Sequence, residues 1–338
     1  MVLYLTISFI ILFVPIFVKV HSNPTDKVNA NTIFMSFQYT TVLRAVAILM
    51  VMLQHLSGFV LGSRIFTPFG GAGVAVFLIV SGYGLSISTS KKGLKGFWTK
   101  KFVRVFLPWL LVWLAMVFLN GETKFSASSL LSLFLLDSTN WYLQYLLLCY
   151  LSFYISHKWF YKFRWLLLSC FFILSFAFWG NIQAEQSCSF LIGCLIAEKA
   201  KLFKWIVEKI KVIFIFSLFL GISFLAVKQL SFVRSLMDNV CLVDHAINMV
   251  MKTSIAISVM MLVRLLWSQT NVRLAMFIGK ISYELYLVHL FIVIDYCRIL
   301  GNMPLVSIFV FVACSFLLSY LLYLVDNKIL VLYKNGLK

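Results

Sequence analysis

The chain has 338 residues, of which 62% are hydrophobic and only 12% are charged, and its formal net charge is +18. A soluble domain of this length carries roughly twice that share of charged residues. The composition therefore excludes an ordinary soluble protein and predicts an all-α fold, a polytopic transmembrane helical bundle.

About 11 stretches are apolar enough and long enough to be interpreted as membrane spans. They cover residues 2–18, 42–61, 69–88, 105–119, 141–157, 165–180, 187–198, 212–227, 253–267, 282–297 and 304–325. The first span lacks a basic leader and a signal-peptide cleavage site, so we interpret it as a helix. The segment 127–136 is too short to span and is predicted to lie at the outer surface or to re-enter.

The chain shows no internal repeat and no Pro-rich linker, which predicts one membrane domain at residues 42–325. An additional helix and loop (1–41) precede this domain, and a basic tail (326–338) follows it. The seven cysteines are odd in number and form no Cys-x-x-Cys pair. We interpret them as small buried side chains, and predict neither a metal site nor a disulfide framework.

The basic residues set the predicted orientation of the bundle. The densest cluster lies between the third and fourth spans and consists of Lys91, Lys92, Lys95, Lys100, Lys101 and Arg104. If this loop is cytoplasmic, the loops 158–164, 199–211 and 268–281 and the C-terminus are cytoplasmic too, and the N-terminus is outside. Because the charge lies between membrane spans, we predict the lipid bilayer and no nucleic acid as a partner.

The second span carries two ionisable residues, Arg44 and His55. Eleven residues make three helical turns plus about 20°, so the two side chains share a face with roughly 16 Å between them. Ionisable groups inside hydrocarbon are expensive and usually functional. A neutral imidazole can take a proton from a hydroxyl. The alternative, a histidine that hydrogen-bonds a neighbouring helix, is less favoured because an arginine shares its face.

The third span is rich in glycine, and Gly82-x-Gly84 has no strand before it, so it is not a nucleotide-binding fingerprint. Small residues at this density let helices pack closely. Ser81 is a candidate to line a cavity, and a structural role is at least as consistent with the pattern.

Two further patterns contain candidate site residues. Lys101 and Arg104 are three residues apart, hence neighbours on a helix, and can hold phosphates, although an orientation signal explains them equally well. Ser282, Tyr286 and His289 follow i, i+4, i+7 and form a polar stripe, for which interhelical hydrogen bonding is the alternative.

The ordered set of motifs resembles the acyltransferase-3 family of bacterial integral membrane acyltransferases, which includes O-antigen, capsule and nodulation-factor acetyltransferases. The matching segments are Leu43-Arg44-Ala45 through His55, Phe77 through Ser81-Gly82-Tyr83, Lys101-Phe102-Val103-Arg104 through Pro108, Trp141-Tyr142-Leu143, and Gly279-Lys280-Ile281-Ser282-Tyr283 through Tyr286-Leu287-Val288-His289. They follow the family's order from about residue 40 to residue 325.

The resemblance implies ten core spans in the bacterial inner (cytoplasmic) membrane, acetyl-CoA as the acyl donor, and a glycan hydroxyl as the acceptor. It implies essential catalytic roles for Arg44 and His55, and contact with acyl-CoA for Lys101 and Arg104. The substrate or cavity candidates are Ser81, Tyr83, Trp141, Ser282, Tyr286 and His289.

The chain departs from the family pattern in three places. Thr40, Thr41 and Val42 stand where members often have an acidic residue and a glycine, and Val74-Ala75-Val76 lacks a frequent aspartate. Lys101 replaces the first of two arginines and loses bidentate geometry towards phosphate.

The working hypothesis is an O-acetyltransferase of cell-surface glycan with His55 as general base. Arg44 would steady the donor or the developing oxyanion. The competing class is a glycan flippase or proton-coupled transporter in which Arg44 and His55 line the path. Inverted repeats are common in such transporters, and none is visible here. A polysaccharide polymerase is less favoured because a large external loop is absent.

Overall fold

A computed structural model describes residues 1–18, 33–119, 141–294, 297 and 303–335 of the chain. Regular structure in these residues is helical, which confirms the predicted all-α bundle. The segment 127–136, for which a surface or re-entrant position is predicted, lies outside the described residues.

The helices follow one another with short connections. The first half contains α1 (Val2–Phe17), α2 (Phe37–His55) with a π-helical turn (Leu56–Val60), α3 (Thr67–Lys92), α4 (Phe97–Lys101) with a π-helical turn (Phe102–Phe106), α5 (Leu107–Leu119), α6 (Trp141–Lys158) and α7 (Arg164–Phe178). The second half contains α8 (Asn181–Ala184), α9 (Ser189–Glu198), α10 (Ala200–Glu208), α11 (Ile210–Val227), α12 (Ser231–Asn239), α13 (Cys241–Leu265), α14 (Val272–Lys280), α15 (Ser282–Val288) with a π-helical turn (His289–Val293), and α16 (Pro304–Asn335).

Seven helical segments of the described chain are long and apolar enough to cross a membrane. They are Phe37–Val60, Thr67–Lys92, Phe97–Leu119, Tyr161–Phe178, Ile210–Val227, Cys241–Leu265 and Pro304–Val331. Helices α14 and α15 form an eighth if they are taken as one span bent by 56°. The other three predicted spans are also helical, but α1 has 16 residues, α9 has 10, and the 18-residue α6 carries four tyrosines.

Helix α2 lies at the centre of the bundle and contacts α1, α3, α13, α14 and α15. Between Leu43 and Leu53 every side chain except that of Arg44 is buried. A helix that is hydrophobic all round belongs inside a bundle. The polar Arg44 is therefore the exception in this stretch.

Helices α3 and α9 cross where each presents a glycine. A Cβ atom at Gly82 would stand 2.2 Å from the carbonyl oxygen of Phe190, and one at Gly193 would stand 2.0 Å from that of Ile79. No side chain fits at either distance, so only glycine permits this crossing. The predicted packing role of small residues is confirmed at these two positions.

The basic loops lie together at one end of the bundle, which we call the basic end. Each basic loop contacts a neighbouring element there: Phe97 with Tyr154 at 5.2 Å between ring centroids, Arg164 Nε with Glu198 Oε2 at 3.1 Å, Phe34 with Phe203 at 5.6 Å, and the Asn271 N–H with the Ile16 carbonyl oxygen at 2.6 Å. The opposite end, which we call the far end, carries the turn 61–66 and the segment 228–241.

Candidate active site

A cavity of about 410 Å³ opens among α2, α3, α6 and α15 beside the basic loop. Cationic side chains around it are Arg44, Lys95, Lys100, Lys101 and Arg104. Hydroxyl-bearing residues around it include Thr40, Ser81, Ser88, Thr89, Ser282, Tyr142, Tyr150, Tyr283 and Tyr286. We call it the basic-end cavity. The fold thus gathers five cations around one polar space.

Arg44 enters the basic-end cavity from the buried helix α2. Its Nη2 donates a hydrogen bond to Thr41 Oγ1 at 3.2 Å, and its buried Nε has no hydrogen-bond partner among the described residues. Among the described residues this guanidinium forms no ion pair within 4 Å, although the Glu284 carboxylate interacts with it electrostatically. Buried donors are nearly always satisfied, so the unsatisfied Nε leaves Arg44 able to receive one further acceptor.

Lys101 and Arg104 border the same cavity as Arg44. Lys101 ends α4, and its Nζ lies 4.0 Å from the ring centroid of Tyr150 and 5.6 Å from that of Phe97. Cation–π contacts of this kind hold an ammonium without neutralising it. The pair is therefore placed to contact an anion that enters from the basic end.

Tyrosines close the inner end of the cavity. The rings of Tyr142 and Tyr286 meet edge to face with centroids 5.0 Å apart. The Tyr283 hydroxyl donates to the Val105 carbonyl oxygen at 2.7 Å, which ties α15 to the π-helical turn that follows α4. The wall therefore consists of apolar rings that carry polar hydroxyl groups at their ends.

His55 and His289 form a hydrogen-bonded pair behind this wall. His55 Nδ1 lies 3.0 Å from His289 Nε2, and His289 Nδ1 lies 2.5 Å from the Leu285 carbonyl oxygen. A carbonyl oxygen only accepts, so His289 Nδ1 carries a proton and, in the neutral ring, its Nε2 accepts. His55 Nδ1 is then the donor, and His55 Nε2 is left with a free lone pair. The pair thus leaves His55 in the tautomer that a general base needs.

Neither histidine is among the residues that border the basic-end cavity, although Arg44 is. The Tyr286 ring lies 6.1 Å from the His289 ring, between the pair and the cavity. His289 is fully buried, whereas His55 is half-buried at the end of α2 beside Phe59. Arg44 therefore borders the cavity and His55 does not, and Tyr286 is the residue that borders the cavity and also contacts the histidine pair.

The other candidates divide between lining and supporting positions. Ser81, Ser282 and Tyr286 border the cavity, whereas Tyr83 and Trp141 do not. Trp141 instead packs edge-on against Tyr142 with centroids 6.0 Å apart.

Sequence reasoning missed several lining residues: Lys95, Lys100, Tyr142, Tyr150 and Tyr283. A usable signal existed for two of them, because Tyr142, Leu146 and Tyr150 follow i, i+4, i+8 and form one stripe of α6 that faces the cavity. The two lysines, Lys95 and Lys100, belong to the basic loop and were interpreted only as an orientation signal.

Each π-helical turn in the described residues coincides with a candidate residue. One turn begins directly after His55, one contains Arg104, and one begins at His289. Such turns are rare and are often found at functional sites. The sequence carries no signal that predicts them.

The described residues contain no group of three or more His, Cys, Asp or Glu side chains placed to hold a metal ion. Of the seven free cysteines, Cys149, Cys194 and Cys297 are buried, while Cys170 and Cys241 are exposed. The exposed pair corrects the expectation that all seven are buried. Cys241 lies at the far end, at the start of α13.

A family model described as an acyltransferase domain, of the acyltransferase-3 type, matches residues 37–324. The match begins at the first residue of α2 and ends within α16. Neither a curated protein nor a solved structure matches the chain.

Proposed function

The chain belongs to the acyltransferase-3 family, and from this premise we propose that it transfers acetyl from cytoplasmic acetyl-CoA to a hydroxyl of a cell-surface polysaccharide or of its lipid-linked precursor. The family makes it a membrane acyltransferase. The acetyl donor, the glycan acceptor and the inner-membrane location are the proposal.

The single observation that carries the donor assignment is the basic-end cavity. It joins Arg44, whose Nε has no hydrogen-bond partner among the described residues, to Lys101 and Arg104 in one space. CoA carries several phosphate groups, and lysine and arginine are the side chains that bind them. If the basic end is cytoplasmic, as the positive-inside rule requires, the phosphates meet the loop cations first. The thioester then points towards Arg44.

The chemistry needs one proton acceptor and one oxyanion donor. The acceptor hydroxyl gives its proton to His55 Nε2 as its oxygen attacks the thioester carbonyl carbon. The tetrahedral oxyanion collapses, the carbon–sulfur bond breaks, and the leaving CoA thiolate takes up the proton that His55 Nε2 holds, which returns the imidazole to its neutral form. Arg44 supports the negative charge on the donor as it develops.

The tyrosine wall sets a requirement on this route. The thioester and the acceptor hydroxyl meet only if the space between Arg44 and His55 becomes continuous. Rotation of the Tyr286 side chain would join the basic-end cavity to the histidine pair. In this proposal Tyr286 is the movable partition between donor and base.

The second candidate function is a glycan flippase or a proton-coupled transporter. The 56° bend between α14 and α15 favours it, because broken helices form substrate sites in many transporters. In that case Arg44 and His55 would line a conduction path and no CoA would be released.

The test uses the purified full chain in proteoliposomes with acetyl-CoA. The acceptor is surface polysaccharide from the cells that carry the gene, freed of O-acetyl esters by mild alkali. We expect release of CoA thiol that depends on the acceptor, with ester formed on the polysaccharide.

His55→Ala should lower this rate by about 10²–10⁴-fold, the usual worth of a general base. His157→Gln is the matched control, since His157 contacts Glu198 at the basic end and is not among the residues around the cavity. If the polysaccharide crosses the membrane and no CoA is released, the transferase proposal is wrong and the protein is a transporter.

A further inference from the structure

A second cavity, of about 1220 Å³, opens at the far end of the bundle. Ligand pockets usually measure about 300–1,000 Å³, so this one has room for a ligand of several rings together with water. It shares no lining residue with the basic-end cavity. We call it the far-end cavity.

Hydrogen-bonding side chains dominate one wall of the far-end cavity. Lys228 Nζ donates to Asn248 Oδ1 at 2.6 Å, and Asn248 Nδ2 donates to Asp244 Oδ1 at 2.7 Å. Asn181 Nδ2 lies 3.4 Å from the other Asp244 oxygen. The amides and the carboxylate are held in fixed positions by one another, which is how a site is preorganised.

The floor of the cavity is a buried ion pair between Lys252 and Glu185, whose side chains are 12% and 8% exposed. Buried ion pairs add little to stability compared with apolar residues of the same volume. Burial and the nearby Lys252 ammonium also lower the pKa of Lys228, which stands beside the same wall. Because a buried ion pair adds little stability, its presence at this cavity supports a role in binding.

Only one helix backbone separates this floor from the helix that carries His55. A Cβ atom at Gly71 would stand 2.5 Å from Lys252 Cδ, and one at Gly70 would stand 2.7 Å from the amide oxygen of Gln54, the neighbour of His55. The far-end cavity is also bordered by Arg64 of the turn after α2 and by Thr67 and Pro68 at the start of α3. A long ligand in the cavity can thus reach over this turn towards His55.

From these observations we propose that the far-end cavity binds the saccharide chain of the acceptor through the hydroxyl groups of its sugars. Amide and carboxylate side chains offer donors and acceptors together, which suits hydroxyl groups that are both. The inference rests on the proposed acetyl transfer for its biological meaning, but the binding itself does not require the reaction.

The experiment measures equilibrium binding without acetyl-CoA. The probe is a fluorescently labelled fragment of the same alkali-treated surface polysaccharide, and the protein is the detergent-purified full chain. We expect Asn248→Ala and Asp244→Asn to weaken binding by about tenfold each, which corresponds to the loss of about one or two hydrogen bonds. Gln183→Ala is the matched amide control, because Gln183 lies at the far end but does not border the cavity.

Thermal unfolding shows whether each variant is folded. If Asn248→Ala is not folded, Asp244→Asn, which keeps the side-chain volume, provides the test. Variants that are folded and bind the fragment as the wild type does overturn the inference, and so does a wild type that does not bind. A wild type that binds the fragment but releases no CoA defeats the acetyl transfer and leaves the binding site standing.

Discussion

The unusual residue of the central helix, Arg44, is a cation without an ion pair among the described residues. Lys252 lies beside the Glu185 carboxylate, whereas Arg44 has a single hydroxyl partner and a buried Nε without one. A buried polar atom without a hydrogen-bond partner is costly, and an incoming acceptor would satisfy the Arg44 Nε. At the scale of single residues, the candidate site is therefore marked by a hydrogen-bond donor, the Arg44 Nε, that has no partner among the described residues.

The histidine pair makes a prediction about a residue that does not touch the substrate. His289 acts through His55 by accepting the Nδ1 proton, so His289→Leu should remove the fixed tautomer and lower acetyl transfer by about 10²-fold. His289→Gln should stay within about tenfold of the wild type, because the glutamine oxygen can accept the same hydrogen bond.

The tautomer itself gives the independent readout. Nitrogen-15 spectra of histidine-labelled protein, with the His55 signals assigned through His55→Ala, should show a proton on Nδ1 in the wild type and in His289→Gln. Equal activities for the leucine and glutamine variants would refute the positioning role of His289.

Lys101 provides a prediction about the donor. Lys101→Ala should raise the KM for acetyl-CoA about tenfold, within the range for a lost hydrogen bond to a charged group, and leave kcat unchanged because the phosphates lie away from the reacting carbon. Lys101→Arg should keep the KM at or below that of the wild type, since arginine binds phosphate bidentately.

The control is Lys204→Ala, in which a lysine side chain that is 81% exposed at the basic end is removed. Steady-state kinetics at one ionic strength compare the three variants. If the KM rises equally in Lys204→Ala, it depends on overall charge and not on Lys101. The loop that contains Lys101 would then act only as an orientation signal.

At the scale of helices, the crossing of α3 and α9 determines how closely the bundle packs. Gly82→Ala should destabilise the protein by about 1–3 kcal/mol, the usual cost of overpacking, because its Cβ would stand 2.2 Å from the Phe190 carbonyl oxygen. The readout is the midpoint of thermal unfolding in detergent.

Gly84 offers a control on the same helix two residues away. A Cβ at Gly84 meets nothing within 4 Å, and alanine favours a helix by up to about 1 kcal/mol, so Gly84→Ala should leave the midpoint unchanged or raise it. If the two variants unfold alike, the crossing does not depend on Gly82.

Sequence periodicity predicted the helices well and the cavity only in part. The all-α bundle followed from apolar length, and the basic loop followed from charge. Trp141 was named instead of Tyr142 because adjacent residues on a helix point about 100° apart, and only contacts with α15 show which one faces inward. Lys101 and Arg104 were placed on a regular helix, whereas a π-helical turn begins between them.

At the scale of the whole molecule, the two ends of the bundle differ in charge and in the cavity they hold. The basic-end cavity is bordered by five cations and no carboxylate among the described residues, whereas the far-end cavity mixes both signs with amides. A field of one sign at the mouth of a cleft raises the local concentration of polyanions. The arrangement suits a donor and an acceptor that arrive from opposite sides.

The native Cys241 tests this orientation. It is exposed at the far end, so a membrane-impermeant maleimide should label it in intact cells, and Cys241→Ser should lose that label. Lys204→Cys in the Cys241→Ser background should react only after the cells are permeabilised. Labelling of Lys204→Cys in intact cells would invert the predicted topology.

The three π-helical turns have a consequence for comparing this chain with other sequences. Each turn holds one residue more than a regular α-helix of the same rise, since its hydrogen bonds run from i to i+5. A related protein that lacks such a turn must therefore align with a single-residue gap inside an otherwise unbroken span. Insertions and deletions, and not substitutions alone, would then record where the helices of this bundle gained or lost their specialised shape.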